Sequence, residues 1–213
     1  MVRVPKKYVE YKMKRIKEKK ERALGTKLFL KAERCNSHKC VMIRRPYRPG
    51  EHGQKRRRAI SDFGKQLQEK QKIQLVYGLT NQQMRRLFRG HSGNPDAIMV
   101  ELEKRLDRVV YLLGFAASPR IARQLVSHGH ILVNGRKITS ASYKVREGNV
   151  VSVRPQSRER KVFSDVQEYF KKHEVPTWLS LDKSAWEGTC VSKPSGETLI
   201  SFDINLVGQY YMR

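Results

Sequence analysis

The chain has 213 residues, 45 of them Lys or Arg against 20 Asp or Glu, for a net charge of +25. That length accommodates one or two domains with their own cores, and that charge opposes compaction unless a polyanion is at hand, so nucleic acid is the expected partner class. No apolar run approaches the roughly 20 residues of a bilayer span, no signal-type apolar segment follows the N-terminus, and three cysteines give no disulfide framework; a cytoplasmic protein with no membrane partner is expected.

The charge is uneven. Residues 1–72 carry 24 basic and 7 acidic residues, whereas residues 155–213 carry 8 of each. An asymmetry of this kind marks a directed binding surface rather than general solubility. Residues 1–24 are lysine-rich with few core-forming side chains, a composition that becomes helical only against a partner. Residues 25–60 read as irregular, because Pro46, Pro49, Gly50 and Gly53 interrupt any regular element. So long a patternless stretch suits a segment that lies along RNA, with Arg44, Arg45, His52 and Arg57 as candidate contacts. The run from Lys55 through Arg56 and Arg57 to Arg58 cannot share one face. It suits a track along phosphates better than a pocket.

Ser61 and Asp62 predict the cap of a helix over about 62–76, closed by Gly78. Thr80 predicts the next, with Met84, Leu87 and Phe88 on one side. Pro95–Asp96 restarts helix. Leu102, Leu106, Val109, Val110 and Leu113 then form one stripe, which predicts a single amphipathic helix ending at Gly114.

The stretch "ASPRIARQLVSHGHILVNGRKI", residues 117–138, holds no acidic residue. Ser118 is a candidate N-cap, and Pro119 sits at the first helical position, where its missing N–H costs nothing. Ile121, Ala122, Leu125 and Val126 are the expected buried stripe. Arg120, Arg123, Gln124 and Ser127 take the opposite face. Gly129 ends this helix, and Asn134–Gly135 predicts a type I′ hairpin. A further strand is expected at Val150–Val153. The unit, two helices and a small sheet over 103–155, offers donors of positive charge only. Guanidinium forks suit phosphate oxygens, and Gln124, Ser127 and Asn134 match sugar hydroxyls and base edges. Its candidate contacts are those residues with Arg120, Arg123, His128, His130, Arg136 and Lys137. Beyond it, Ser164–His173 reads as a helix, followed by a loop-rich return.

The segment "RLDRVVYLLGFAASPRIARQLVSHGHILVNGRKI" resembles the RNA-binding module named after ribosomal protein S-four, found also in pseudouridine synthases and some tRNA synthetases. The segment "RPYRPGEHGQKRRRAISDFGKQLQEKQKIQLVYGLTNQQMRRLF", with "PTWLSLD" and "INLVGQYYMR", is similar to the bacterial S-four family of small-subunit ribosomal proteins itself. The resemblance covers nearly all of 25–213. It implies an α+β fold: a basic N-terminal arm (1–45), a helical first domain (46–102, completed by about 175–213), and an inserted RNA-binding domain of two helices and a small antiparallel sheet (103–165). It implies a structural role in the small subunit, with direct binding of 16S rRNA at a multi-helix junction and nucleation of subunit-body assembly. It further implies contact with ribosomal protein S-five, an influence on translational accuracy, and an mRNA-entry path lined by Lys55, Arg56 and Arg58 just after the Pro49–Gly53 turn.

Cys35 and Cys40 are the one metal-like pair, and structural zinc usually takes four ligands. Zinc-bearing members of the family carry a second cysteine pair near the N-terminus, whereas residues 1–24 hold neither Cys nor His. Two reduced thiols and no cofactor are therefore expected; zinc completed by His38 and His52 is the alternative. Cys190 reads as structural. No phosphate loop, H-E-x-x-H helix or nucleophile elbow is present. Asp62 and Asp107 read as capping or helix-surface groups, so an enzyme is not expected. An RNA-modifying enzyme sharing the module would need a catalytic domain that the chain leaves no room for. A stress-related ribosome binder would lack the first domain.

Overall fold

Five described helix starts carry a side-chain cap, from Ser61, Thr80, Asn94, Ser118 and Asp203, and these caps fix the helical framework. The computed structural model describes residues 18–30, 35, 37–55, 59–91, 94–160, 163, 170, 173–194 and 202–212. Short helices α1 (Lys19–Leu24) and α2 (Val41–Arg44) precede the framework. In α3 (Asp62–Val76) the Ser61 hydroxyl accepts from the Gly64 N–H. In α4 (Asn81–Gly90) Thr80 and Gln83 form a reciprocal capping box. In α5 (Pro95–Glu103) Asn94 accepts from Asp96 and Ala97. The predicted span of α3 and the predicted start of α4 therefore hold, and for the local reason expected.

The predicted single helix over 95–113 does not form. α5 ends at Glu103 and a separate helix α6 spans Leu106–Leu112. Arg105 between them is extended (φ −66°, ψ 138°) and pairs as an isolated antiparallel bridge with Lys144. The N–H of Leu106 donates to the Tyr143 carbonyl at 2.8 Å, and the N–H of Val145 to the Lys104 carbonyl at 2.8 Å. Tertiary backbone bonds thus replace two helical ones. The apolar stripe runs on across the break, but its halves enter different cores.

The first core contains Leu28, Ile73, Met84, Phe88, Ile98, Leu102 and, from α8 (Ile204–Met212), Ile204 and Val207. The second gathers α6, α7 (Pro119–Ser127) and a five-stranded antiparallel sheet of order β2-β1-β3-β5-β4. Its strands are β1 (Ile131–Val133), β2 (Arg136–Lys137), β3 (Val150–Val153), β4 (Leu179–Asp182) and β5 (Glu187–Cys190). Asn134 and Gly135 between β1 and β2 have φ of 49° and 74°, the left-handed pair that a type I′ turn requires.

The expected return to the first domain is made by α8. Residues 178–190 instead extend the second unit: β5 pairs with β3, Val151 opposite Gly188, and Trp178, Leu179, Trp186 and Cys190 are buried in that core. Most of the predicted Ser164–His173 helix lies outside the described residues. Phe170 sits edge-on to Phe115 in the second core, and His173 donates to the Leu112 carbonyl at 2.7 Å.

The two cores meet at a buried polar junction. Glu103, 2% exposed at the end of α5, accepts from Arg108 of α6 at 2.9 and 3.2 Å and from the Tyr77 hydroxyl at 2.5 Å. Burial and the Glu103 carboxylate push the Tyr77 hydroxyl pKa well up, so it stays a donor. Burial opposes the Arg108 charge, but the Tyr77 and Glu103 partners outweigh it and hold its pKa raised. Beside this, Arg105 grips Asp107 through two bonds at 2.8 and 3.0 Å. Asp107, read from the sequence as a capping or helix-surface group, lies in the first turn of α6 and is buried. Glu101 bridges His91 and Lys144 across the same boundary.

Replacing Glu103 by Ala strands the Arg108 charge in the interior. A loss of about 3–5 kcal/mol is expected, read as a lower urea midpoint than that of the wild-type chain.

Candidate nucleic-acid interface

Helix α7 builds as its sequence dictates. The Ser118 hydroxyl accepts from the Ile121 N–H at 3.3 Å, with Pro119 at the first helical position. Ala122, Leu125 and Val126 are buried and Ile121 is half-buried. Gln124, Ser127 and His128 are exposed, and Arg120 is half-buried. The Ser127 hydroxyl donates to the Arg123 carbonyl at 2.8 Å and so is tied to its own helix.

Arg123 has a different position from the one its helical phase suggests. Its guanidinium reaches back to the first unit and donates to the carbonyls of Gly78 at 2.9 Å and Tyr77 at 3.3 Å. It also lies 3.7 Å from the Asp107 carboxylate. It closes the C-terminal end of α3, where carbonyls lack helical partners.

At the far end of α7 the chain turns through Gly129 (φ 73°) into β1. A Cβ at Gly129 would lie 2.1 Å from Cε of Lys137, so a glycine here lets the Lys137 stem lie across the helix end. Arg136 and Lys137 are exposed on β2. Asn134 is committed to the fold, since its side-chain oxygen accepts from the Val150 N–H at 2.8 Å. His130 shares a hydrogen bond with the Ser157 hydroxyl at 3.0 Å, and its ring stands 6.1 Å from that of His128. The structure therefore brings His128, His130 and Lys137 together at the α7 C-terminus, next to the exposed Arg136. Arg154 and Arg160, which the apolar periodicity did not mark, join them. The signal available in the sequence was the basic run after β3, from Arg154 to Lys161.

The second group of candidates lies on the N-terminal segment. Arg44, Arg45, His52 and Lys55 are exposed. The backbone between them is held by Arg22, which donates to the carbonyls of Tyr47 at 3.0 Å and Arg48 at 3.2 Å. Arg56, Arg57 and Arg58 lie outside the described residues. Cys35 and Cys40 are buried, with the Cys40 N–H closing a turn onto the Ser37 carbonyl at 3.0 Å. Cys190 is buried, and burial pushes its thiol pKa up.

Known proteins follow this same division. Residues 12–105 match the family model described as the ribosomal protein S4/S9 N-terminal domain, and residues 104–151 match the S4 domain. The junction of the two matches falls on the break between α5 and α6. A small ribosomal subunit protein uS4 of Thermus thermophilus is 46% identical over 196 residues, 89% of this chain and 93% of its own length. The chain belongs to the uS4 family. The uS4 proteins of Syntrophomonas wolfei (46% identical, covering 82% of this chain and 86% of its own) and Kosmotoga olearia (40% identical, covering 89% and 93%) are similar along nearly the same span. No described helix is long and apolar enough to cross a membrane.

The geometry separates two kinds of arginine on the uS4-type module. Arg136→Glu is expected to weaken RNA binding at least about tenfold at unchanged stability, because an exposed charge is reversed. Arg123→Ala is expected instead to lower the unfolding midpoint, because the Gly78 and Tyr77 carbonyls lose their donor. Thermal melts beside filter-binding isotherms check both; the opposite pattern would reverse the assignment.

Proposed function

We propose that this chain is a structural, non-catalytic constituent of the small ribosomal subunit that binds 16S rRNA directly in the cytoplasm. The observation that carries the reading is the α7 end, where His128, Arg136 and Lys137 stand exposed on a rigid capped helix and hairpin. The uS4 relatives, matched over most of their length, set the context. Donors without carboxylates suit a phosphate backbone, and a rigid module suits recognition of RNA by shape. The contacts we assign to rRNA are Arg120, Gln124, Ser127, His128, His130, Arg136 and Lys137. Arg123 and Asn134 remain in that set, although each is also engaged by the fold. Arg44, Arg45, His52 and Arg57 supply a second contact from the N-terminal segment.

Finer roles follow from the same reading. Binding two separated RNA elements by one chain favours an early place in assembly of the subunit body. Lys55, Arg56 and Arg58 line the mRNA entry path and help open structured messages. The S-five neighbour takes the surface where Phe63 (48% exposed) stacks near Tyr210 and Met212 is 75% exposed. A partner shielding these side chains also accounts for an effect on translational accuracy.

Equilibrium binding to 5′-domain 16S RNA and to an unrelated RNA of equal length, across a salt series, tests the central claim. A preference of at least about a hundredfold that survives 0.15 M salt is expected, within the range of specific over non-specific binding. Equal affinities collapsing together as salt rises would mean a non-specific polycation.

Changing Lys55 and Arg56 together to Ala is expected to leave subunit assembly intact and to slow translation through a stable message hairpin by about twofold or more, the scale of losing two phosphate contacts. Unchanged transit through the hairpin would remove the mRNA role.

A further inference from the structure

His130 stands at the meeting point of three elements, and basic side chains from all three act on it. His128 comes from the end of α7, Lys137 from β2, and Arg154 and Arg160 from the segment that leaves β3. Arg154 is fixed in place because its N–H donates to the His130 carbonyl at 2.9 Å. The His130 ring is fixed too, by Ser157 at 3.0 Å and by Phe163, which it meets edge-on at 6.2 Å. The 3₁₀ turn Pro155–Ser157 holds that serine and is itself followed by Arg158. Arg158 is occupied elsewhere: it donates to the Ala185 carbonyl at 2.6 Å and lies over Trp186. Glu159 on the same segment is exposed.

The side chains of Lys137, Arg154 and Arg160 make no hydrogen bond or ion pair among the described residues. This contrasts with Arg105, Arg108, Arg123 and Arg158, each of which has a protein acceptor. The backbone carries these three cations to one histidine: the Lys137 stem crosses Gly129 next to it, the Arg154 N–H donates to its carbonyl, and the Arg160 N–H donates at 3.1 Å to the carbonyl of Ser157, whose hydroxyl holds the ring. Such a cluster is costly when empty and is relieved by an anion.

We propose that His130, Lys137, Arg154 and Arg160 form a phosphate subsite for the RNA backbone, and that filling it draws a proton onto His130. This rests on the reading of the chain as an RNA-binding protein, and it adds two arginines and a proton to that reading. The direction follows from the groups present. Burial comes first, then Arg160, His128, Arg154 and Lys137, and together they lower the His130 pKa in the free protein, so the ring is neutral at neutral pH. A phosphate placed among the cations cancels their repulsion and adds an attraction of its own. The protonated ring is then favoured in the complex. By linkage, RNA binding takes up a proton, so affinity rises as pH falls toward the histidine range.

Binding of the full chain to 5′-domain 16S RNA at pH 8 and pH 6, at fixed ionic strength, is the test. It is paired with NMR titration of the His130 ring in free and bound protein. Binding at least about threefold tighter at pH 6 is expected, with an upward move of the His130 midpoint in the complex. His130→Gln is expected to lose most of that pH dependence; the RNA is common to both proteins, so its own titration cancels. Arg160→Ala alters an exposed residue and is expected to do two things at once: raise the His130 midpoint in the free protein and weaken RNA binding. A His130→Gln protein with the wild-type pH dependence, or a His130 midpoint unmoved by RNA, overturns the proposal. If specific binding persists in that case, the rRNA reading stands without it; if neither RNA is preferred, the rRNA reading itself falls. Inorganic phosphate is added to the free protein as a separate arm. A His130 shift as large as that given by RNA would make this a free-phosphate site and overturn the RNA assignment.

Discussion

The Glu103 carboxylate is the point on which the rest of the structure depends. It closes α5, accepts from Arg108 of α6, and accepts from Tyr77 at the end of α3. One buried anion thereby joins two helices of the first core, α3 and α5, to the first helix of the second. Buried ion pairs rarely add net stability over a well-packed apolar substitute, because desolvation offsets the Coulomb gain. Their effect is to exclude alternatives: any other relative placement of α5 and α6 strands a charge. Arg105–Asp107 and the Arg123 reach to Gly78 act at the same boundary. The RNA-facing module is therefore held in one orientation rather than tethered.

This junction also explains how a chain of net charge +25 keeps a directed field. Glu103 and Asp107 lie within buried ion pairs at the boundary between the cores, and Glu101 pairs with Lys144 at its partly exposed rim. Glu21 is likewise buried, accepting from the N–H groups of Leu28 and Leu30. Carboxylates placed inside cannot screen lysines and arginines placed outside.

Much of the framework was legible because its signals are local. Ser61, Thr80, Asn94 and Ser118 each cap the helix that follows, and Asn134–Gly135 makes the hairpin that its dipeptide predicts. What was not legible depends on partners distant in sequence. The break at Arg105 is invisible to periodicity, since Leu102 and Leu106 stay in phase; it is caused by backbone bonds to residues 143–145. The strands at 179–190 are short, and their pairing is fixed by packing against α6. At Gly188 a Cβ would lie 2.4 Å from a Leu113 methyl, so the position demands glycine for contact and not for a turn. Arg123 falls on the outward face of α7 by helical phase, yet its length lets it fold back onto carbonyls 45 residues away.

The same comparison sharpens what counts as a binding residue. Helical phase assigns faces, but it cannot tell a cation with a protein acceptor from one without. Among the arginines of the module, Arg105, Arg108 and Arg123 are engaged within the fold, and Arg158 holds the sheet edge near Trp186. Arg154 and Arg160 have no such acceptor among the described residues. An arginine paired inside a protein gains nothing by leaving its carboxylate for a phosphate, whereas an unpaired one in a crowd of cations gains both an attraction and relief of repulsion. The unsatisfied members of a basic protein are thus the better guide to where its polyanion lies, and three of them stand around one histidine at the end of α7.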